Sequence, residues 1–280
     1  MTQTNVNSTQ QGHYVLANEL DMYYEEYGNG EPLILLHGGT VTSQMWQPHI
    51  PFFAQYFRVI APDSRGHGRT NNPTGELSYR IMADDVAAFI QALGLKKPLV
   101  FGYSDGGQIA LEIGMRYSNL TKVLVVGAAW YKFTEAYLNS LKAMGFEGPD
   151  TVNIEYLQRN DPSWIEFLKT EHSRTDDPDY WQRLLKQIST MWWTPLDYGV
   201  EDFQKITEPT LILIGDRDGL IPLEDAIEMY QLIPNAELAI LPNATHITAV
   251  ADDGLFLRIV LDFLFRHCNQ EDRNEVKDTA

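Results

Sequence analysis

Three residues far apart in the chain are of the types that acyl transfer requires. Ser104 stands in Phe101-Gly102-Tyr103-Ser104-Asp105-Gly106-Gly107, a G-x-S-x-G pentapeptide. A serine hydroxyl is a poor nucleophile at neutral pH, so it needs a base, and the base needs an orienting carboxylate. A carboxylate follows in Leu211-Ile212-Leu213-Ile214-Gly215-Asp216-Arg217-Asp218, where Asp216 and Asp218 both qualify, and a base follows in Leu238-Ala239-Ile240-Leu241-Pro242-Asn243-Ala244-Thr245-His246. The glycines around Ser104 have a steric purpose. A strand that turns straight into a helix holds its serine at positive φ, and side chains at 102 and 106 would collide where the two elements pass.

These residues must be brought together by strands. Short apolar runs at Leu33-Ile34-Leu35-Leu36, Phe57-Arg58-Val59-Ile60-Ala61, Leu99-Val100-Phe101, Val123-Leu124-Val125-Val126, Leu211-Ile212-Leu213-Ile214 and Leu238-Ala239-Ile240-Leu241 read as six buried parallel strands, preceded by a hairpin-like start. Apolar residues at helical spacing between several of them, as in 81–90 and 223–230, predict a mostly parallel, doubly wound sheet covered on both faces. In such a sheet the loops carrying Ser104, the two acids and His246 leave one edge, where ligands bind. The alternation breaks between Val126 and Leu211, a stretch without a convincing strand that holds five of the six tryptophans. It reads as a helical insertion whose aromatics divide between its own core and a pocket, with Trp130 as a candidate substrate contact.

With these residues the chain resembles the α/β-hydrolase family over nearly its whole length. Five motifs carry the resemblance: His37-Gly38-Gly39, Asp63-Ser64-Arg65-Gly66-His67-Gly68, the Ser104 pentapeptide, an acid in G-x-x-D-x-x-x-P (Gly215 to Pro222), and the late His246. The resemblance implies an α/β-hydrolase fold, with a core of residues 1–129 and 203–280 and a helical cap, or lid, at 130–202. It selects Asp218 over Asp216, because the family's acid stands four residues before the proline. It implies a catalytic triad of Ser104, His246 and Asp218, and an oxyanion hole from the backbone N–H groups of Gly39 and Asp105. His37 and His67 become supports of the oxyanion loop and of a turn.

The activity so implied is serine-dependent hydrolysis of a small carboxylic ester, amide or lactone. Carbon–carbon bond hydrolysis and cofactor-free perhydrolysis use the same triad and stay open, as does a triad-bearing small-molecule receptor. Ser104-Asp105-Gly106-Gly107 is also similar to the elbow of valacyclovir hydrolase and its relatives, in which this aspartate accepts a substrate amino group; that makes Asp105 a candidate substrate-binding residue.

Composition removes other classes. A net charge of −17 without a basic run is incompatible with a nucleic-acid partner. Cys268 is the only cysteine, so no intrachain disulfide can form, and its position at a helix end reads as packing. His13, His49, His172 and His267 are scattered without metal-ligand spacing, and no phosphate-binding glycine loop occurs, so neither metal nor cofactor is expected. Residues 1–12 lack a signal-peptide pattern and no run is long enough to span a membrane, so the expectation is a cytoplasmic protein acting on a small molecule, as a monomer or homodimer. The tail from Asn269 to Ala280 reads as frayed.

Overall fold

The computed structural model describes residues 11–251 and 254–268; the expectations for the first ten residues and for the tail from Asn269 lie outside that range. The core is an eight-stranded sheet of β1 (Gln11–Ala17), β2 (Leu20–Tyr27), β3 (Glu31–Leu36), β4 (Phe57–Pro62), β5 (Leu99–Tyr103), β6 (Val123–Gly127), β9 (Thr210–Gly215) and β10 (Ala236–Leu241), in the order β1-β2-β4-β3-β5-β6-β9-β10. The two strands missing from that numbering, β7 (Phe146–Gly148) and β8 (Thr151–Val152), form a separate hairpin. The opening hairpin is antiparallel and β2 meets β4 antiparallel, while all pairings from β4 to β10 are parallel.

The apolar runs are continuous because both faces of the sheet are covered. Alternate residues go to opposite sides: Ile34, Leu36, Val100, Leu124, Val126, Ile212 and Ile214 pack into one core, and Leu33, Leu35, Leu99, Phe101, Val123, Val125, Leu211 and Leu213 into the other. Helices α1 (Ile50–Phe53) and α11 (Leu255–His267) cover the second face, and α2 (Tyr79–Ala92), α3 (Asp105–Arg116) and α9 (Leu223–Leu232) the first. Burying one leucine or isoleucine side chain is worth about 1.5–3 kcal/mol, so the residues on both faces of the central strands contribute to holding the sheet. Cys268 caps α11 and packs against the second core. Among the described residues no helix is long and apolar enough to cross a membrane.

Between β6 and β9 the chain forms α4 (Glu135–Ala143), α5 (Ile154–Asn160), α6 (Pro162–His172), α7 (Tyr180–Trp192) and α8 (Val200–Gln204). The stretch is not wholly free of strands, because the β7–β8 hairpin lies within it. Strands of two or three residues around Gly148-Pro149-Asp150 are too short to display a period of two, which is why the pattern conceals them. A short helical turn, α10 (Thr248–Ala251), follows His246 and precedes α11.

Candidate active site

β5 delivers Ser104 to the carboxyl edge of the sheet with φ 57° and ψ −120°, a strained conformation for a residue with a side chain. Its N–H donates to Gly127 O at 2.8 Å, so the neighbouring strand clamps the turn. The flanking glycines leave no room for substitution. A Cβ on Gly102 would lie 1.9 Å from Gly106 O, and one on Gly106 2.2 Å from Leu36 O.

The loops after β9 and β10 bring Asp218 and His246, respectively, to this serine. His246 Nε2 lies 3.0 Å from Ser104 Oγ, and Nδ1 lies 2.8 Å from Asp218 Oδ2. The other oxygen of Asp218 accepts the N–H groups of Leu220 and Ile221, each at 2.9 Å, which fixes the carboxylate's rotation. The Asp218 side chain is 1% exposed, so its charge acts on the imidazole with little screening. Tyr103 OH donates to His246 O at 2.8 Å and holds the histidine loop from beneath. Asp216 is no bystander, although it is exposed: it accepts the Ala244 N–H at 3.2 Å and so ties the acid loop to the histidine loop.

The glycine loop after β3 runs against Ser104, since a Cβ on Gly38 would fall 3.2 Å from Ser104 Cβ. Among the described residues, neither the Gly39 N–H nor the Asp105 N–H has a protein acceptor. His37 Nε2 accepts the Ser64 N–H at 2.9 Å, so its proton sits on Nδ1, which donates to Gly38 O at 2.7 Å. Burial pushes His37 down to about 4, which keeps it neutral. The following loop is fastened by charge: Arg65 clasps Asp85 with two bonds of 2.6 and 2.7 Å, and Arg69 grips the fully buried Asp63. His67 Nδ1 donates to Arg65 O at 3.0 Å, within the same turn. No group of three described His, Cys, Asp or Glu residues is arranged to hold a metal ion.

Asp105 has surroundings that no local pattern announces. Its carboxylate is buried, and it accepts Tyr79 OH at 2.8 Å and Trp192 Nε1 at 2.9 and 3.0 Å. Burial raises its pKa from 3.8 to about 6, against the lowering effect of those two donors. Among the described residues no Lys or Arg pairs with it. It lies beside the Gly38-Gly39 segment, because a Cβ on Gly39 would come within 2.4 Å of its Oδ2 and 2.7 Å of Trp192 Cζ2. Trp130, proposed from the sequence to touch substrate, is 3% exposed and stacks on Tyr137 at 4.3 Å. Its indole Nε1 has no hydrogen-bond partner among the described residues, and the side chain presents almost no surface of its own.

A strained serine at a strand–helix elbow, with histidine and aspartate in hydrogen-bonding sequence on one edge of a parallel sheet, defines a serine-type hydrolase. The α/β hydrolase fold family matches residues 31–252, and the chain belongs to that family. It is 28% identical over 275 residues to the 2-hydroxy-6-oxo-2,4-heptadienoate hydrolase of Pseudomonas putida, covering 93% of this chain and 98% of that protein. It is equally 28% identical over 267 residues to a putative carbamate hydrolase, RutD, of Stutzerimonas stutzeri, covering 89% and 98%. Among solved structures it is similar to a meta-cleavage product hydrolase from Pseudomonas fluorescens IP01, with a TM-score of 0.74, 25% identity and coverage of 91% of this chain and 98% of that one.

Proposed function

We propose that the protein cleaves a small carboxylic ester through an acyl-enzyme intermediate, an amide or lactone presenting the same carbonyl. The observation that carries this reading is the unbroken relay Ser104 Oγ, His246 Nε2, His246 Nδ1, Asp218 Oδ2, with links of 3.0 and 2.8 Å. Ser104 Oγ bonds to the substrate carbonyl carbon while its proton passes to His246 Nε2, and Asp218 stabilises the resulting imidazolium. The carbonyl oxygen becomes an oxyanion facing the Gly39 and Asp105 N–H groups, each such donor being worth about 3 kcal/mol of barrier. His246 then returns the proton to the departing alkoxide. Water repeats the sequence on the acyl-enzyme, with His246 as base, and releases the acid. Residues 130–202 serve as the cap over this edge.

Asp105 sets which acyl groups suit the site. A buried carboxylate beside a developing oxyanion is unfavourable unless a positive charge offsets it, and Trp192 and Tyr79 supply only neutral donors. An acyl group bearing an amino substituent provides that charge, whereas one bearing a second carboxylate adds repulsion. Carbon–carbon bond hydrolysis is the second reading. Its support is the Pseudomonas putida relative, whose name specifies a dienoate, and the same triad serves that chemistry; Asp105 weighs against so acidic a substrate. The experiment is a p-nitrophenyl ester series, an α-amino ester with its desamino analogue, and a 2-hydroxy-6-oxo-2,4-dienoate, each with wild type and Asp105→Asn. Ester turnover with an amino preference that disappears in Asp105→Asn is expected; turnover of the dienoate alone overturns the ester reading.

A further inference from the structure

His172, the last residue of α6, is completely buried where the insertion meets the core. Its two ring nitrogens reach two different core loops. Nε2 lies 2.9 Å from Thr40 O, and Nδ1 accepts the Gly68 N–H at 3.0 Å. A carbonyl only accepts and an amide N–H only donates, so the ring is neutral with its proton on Nε2. Burial, which pushes the His172 pKa down, agrees with that assignment. The adjacent Glu171 accepts Thr42 Oγ1 at 2.8 Å. One helix end therefore grips the chain at residues 40 and 42, across sequence separations of 132 and 129.

The gripped segment follows Gly39 directly. Thr40 has φ 61°, a left-handed conformation that a β-branched residue adopts only when its surroundings impose it. The insertion also touches Gly39 itself, through Trp192 at the end of α7. His67 completes the contact between the parts, its ring lying 5.7 Å from that of His172 and 5.2 Å from that of His37, whose Nδ1 holds Gly38 O.

We propose that the end of α6, through the His172 Nε2–H bond to Thr40 O, is the positioning device of the oxyanion loop, so that the Gly39 donor reaches its working place only when the insertion is seated on the core. The proposal rests on the serine-hydrolase reading given above. His172 touches no reacting atom; it acts by holding Thr40 in its strained conformation, and thereby Gly39.

The two nitrogens of His172 can be imitated separately. Glutamine carries its amide N–H at the distance of Nε2 and keeps the bond to Thr40, whereas asparagine carries its oxygen at the distance of Nδ1 and keeps only the bond from Gly68. On the full-length protein with a p-nitrophenyl ester, His172→Asn is expected to lower kcat about tenfold with KM within about twofold, since small misplacements of a reacting frame cost rate without binding. The affinity of a trifluoromethyl ketone, which forms the tetrahedral adduct, falls by the same factor, and His172→Gln recovers kcat to within about threefold of wild type. Glu171→Ala, at a half-buried position, serves if either variant does not fold, with an expected fall in kcat of about threefold at unchanged KM. Equal losses in the Asn and Gln variants, a wild-type kcat in His172→Asn, or a wild-type kcat in Glu171→Ala overturns the proposal. A wild-type protein that turns over neither ester nor dienoate overturns the hydrolase reading instead, which keeps the two failures distinct.

Discussion

Replacing Asp105 by asparagine should change the pH dependence of stability in a defined direction. Burial raises this carboxyl from 3.8 to about 6, so the folded protein holds the proton more tightly than the unfolded chain. The sign follows: an acid raised on folding stabilises the fold at low pH, and that contribution is lost as pH rises through about 6. At about 1.4 kcal/mol per pH unit the full loss is roughly 3 kcal/mol, of which about 2 kcal/mol falls above pH 4.5. Asparagine has no charge to desolvate. It keeps at Oδ1 the acceptor that Tyr79 and Trp192 share, but in place of Oδ2 it turns an amide N–H toward Trp192 Nε1, a pH-independent cost of about 1–2 kcal/mol. Urea unfolding of both proteins from pH 4.5 to 8 isolates the effect, because every other titrating group is shared. Asp105→Asn should gain about 2 kcal/mol on wild type across that range, nearly all of it below pH 7. Parallel stability curves would refute the claim that Asp105 is a strained, desolvated anion.

Two further substitutions test the site's geometry. Asp218→Asn should lower kcat by about 10⁴ with the fold intact, because the backbone donors at 220 and 221 still find an oxygen while the imidazole loses its partner; Asp216→Asn keeps an acceptor for Ala244 and should stay within about threefold. Gly39→Ala should cut kcat about a hundredfold, since its Cβ would fall 2.4 Å from Asp105 Oδ2 and displace either the carboxylate or the oxyanion loop. Steady-state kinetics with a melting curve separates such losses from unfolding.

What was legible in the sequence was what local pattern encodes. β5, β6 and β9 are buried along their whole length, so their apolar runs stand out, and the pentapeptide displays its strain through two glycines that admit no side chain. β10 is legible from its apolar run at residues 238–241, but it is only half-buried along most of its length, where the run predicts a buried strand. Other features depend on partners that sequence order keeps apart. Tyr79 and Trp192 meet Asp105 across separations of 26 and 87 residues, and a single tyrosine or tryptophan has no period to reveal it. His172 looked like a stray histidine because both groups it binds are backbone atoms more than a hundred residues away. Trp130 is legible in the sequence as an aromatic of the insertion, but its burial and its stacking on Tyr137 are not.

The claim at the centre is that Ser104 is the nucleophile, activated by His246 and Asp218. Incubation with a fluorophosphonate, followed by peptide mass spectrometry of wild type, Ser104→Ala and His246→Ala, tests it most directly. A single adduct on the peptide carrying Ser104 is expected, absent in Ser104→Ala and formed at least 10³-fold more slowly in His246→Ala, alongside a matching loss of ester turnover. Full hydrolytic activity in Ser104→Ala, or an adduct on another residue that accounts for inactivation, would contradict it.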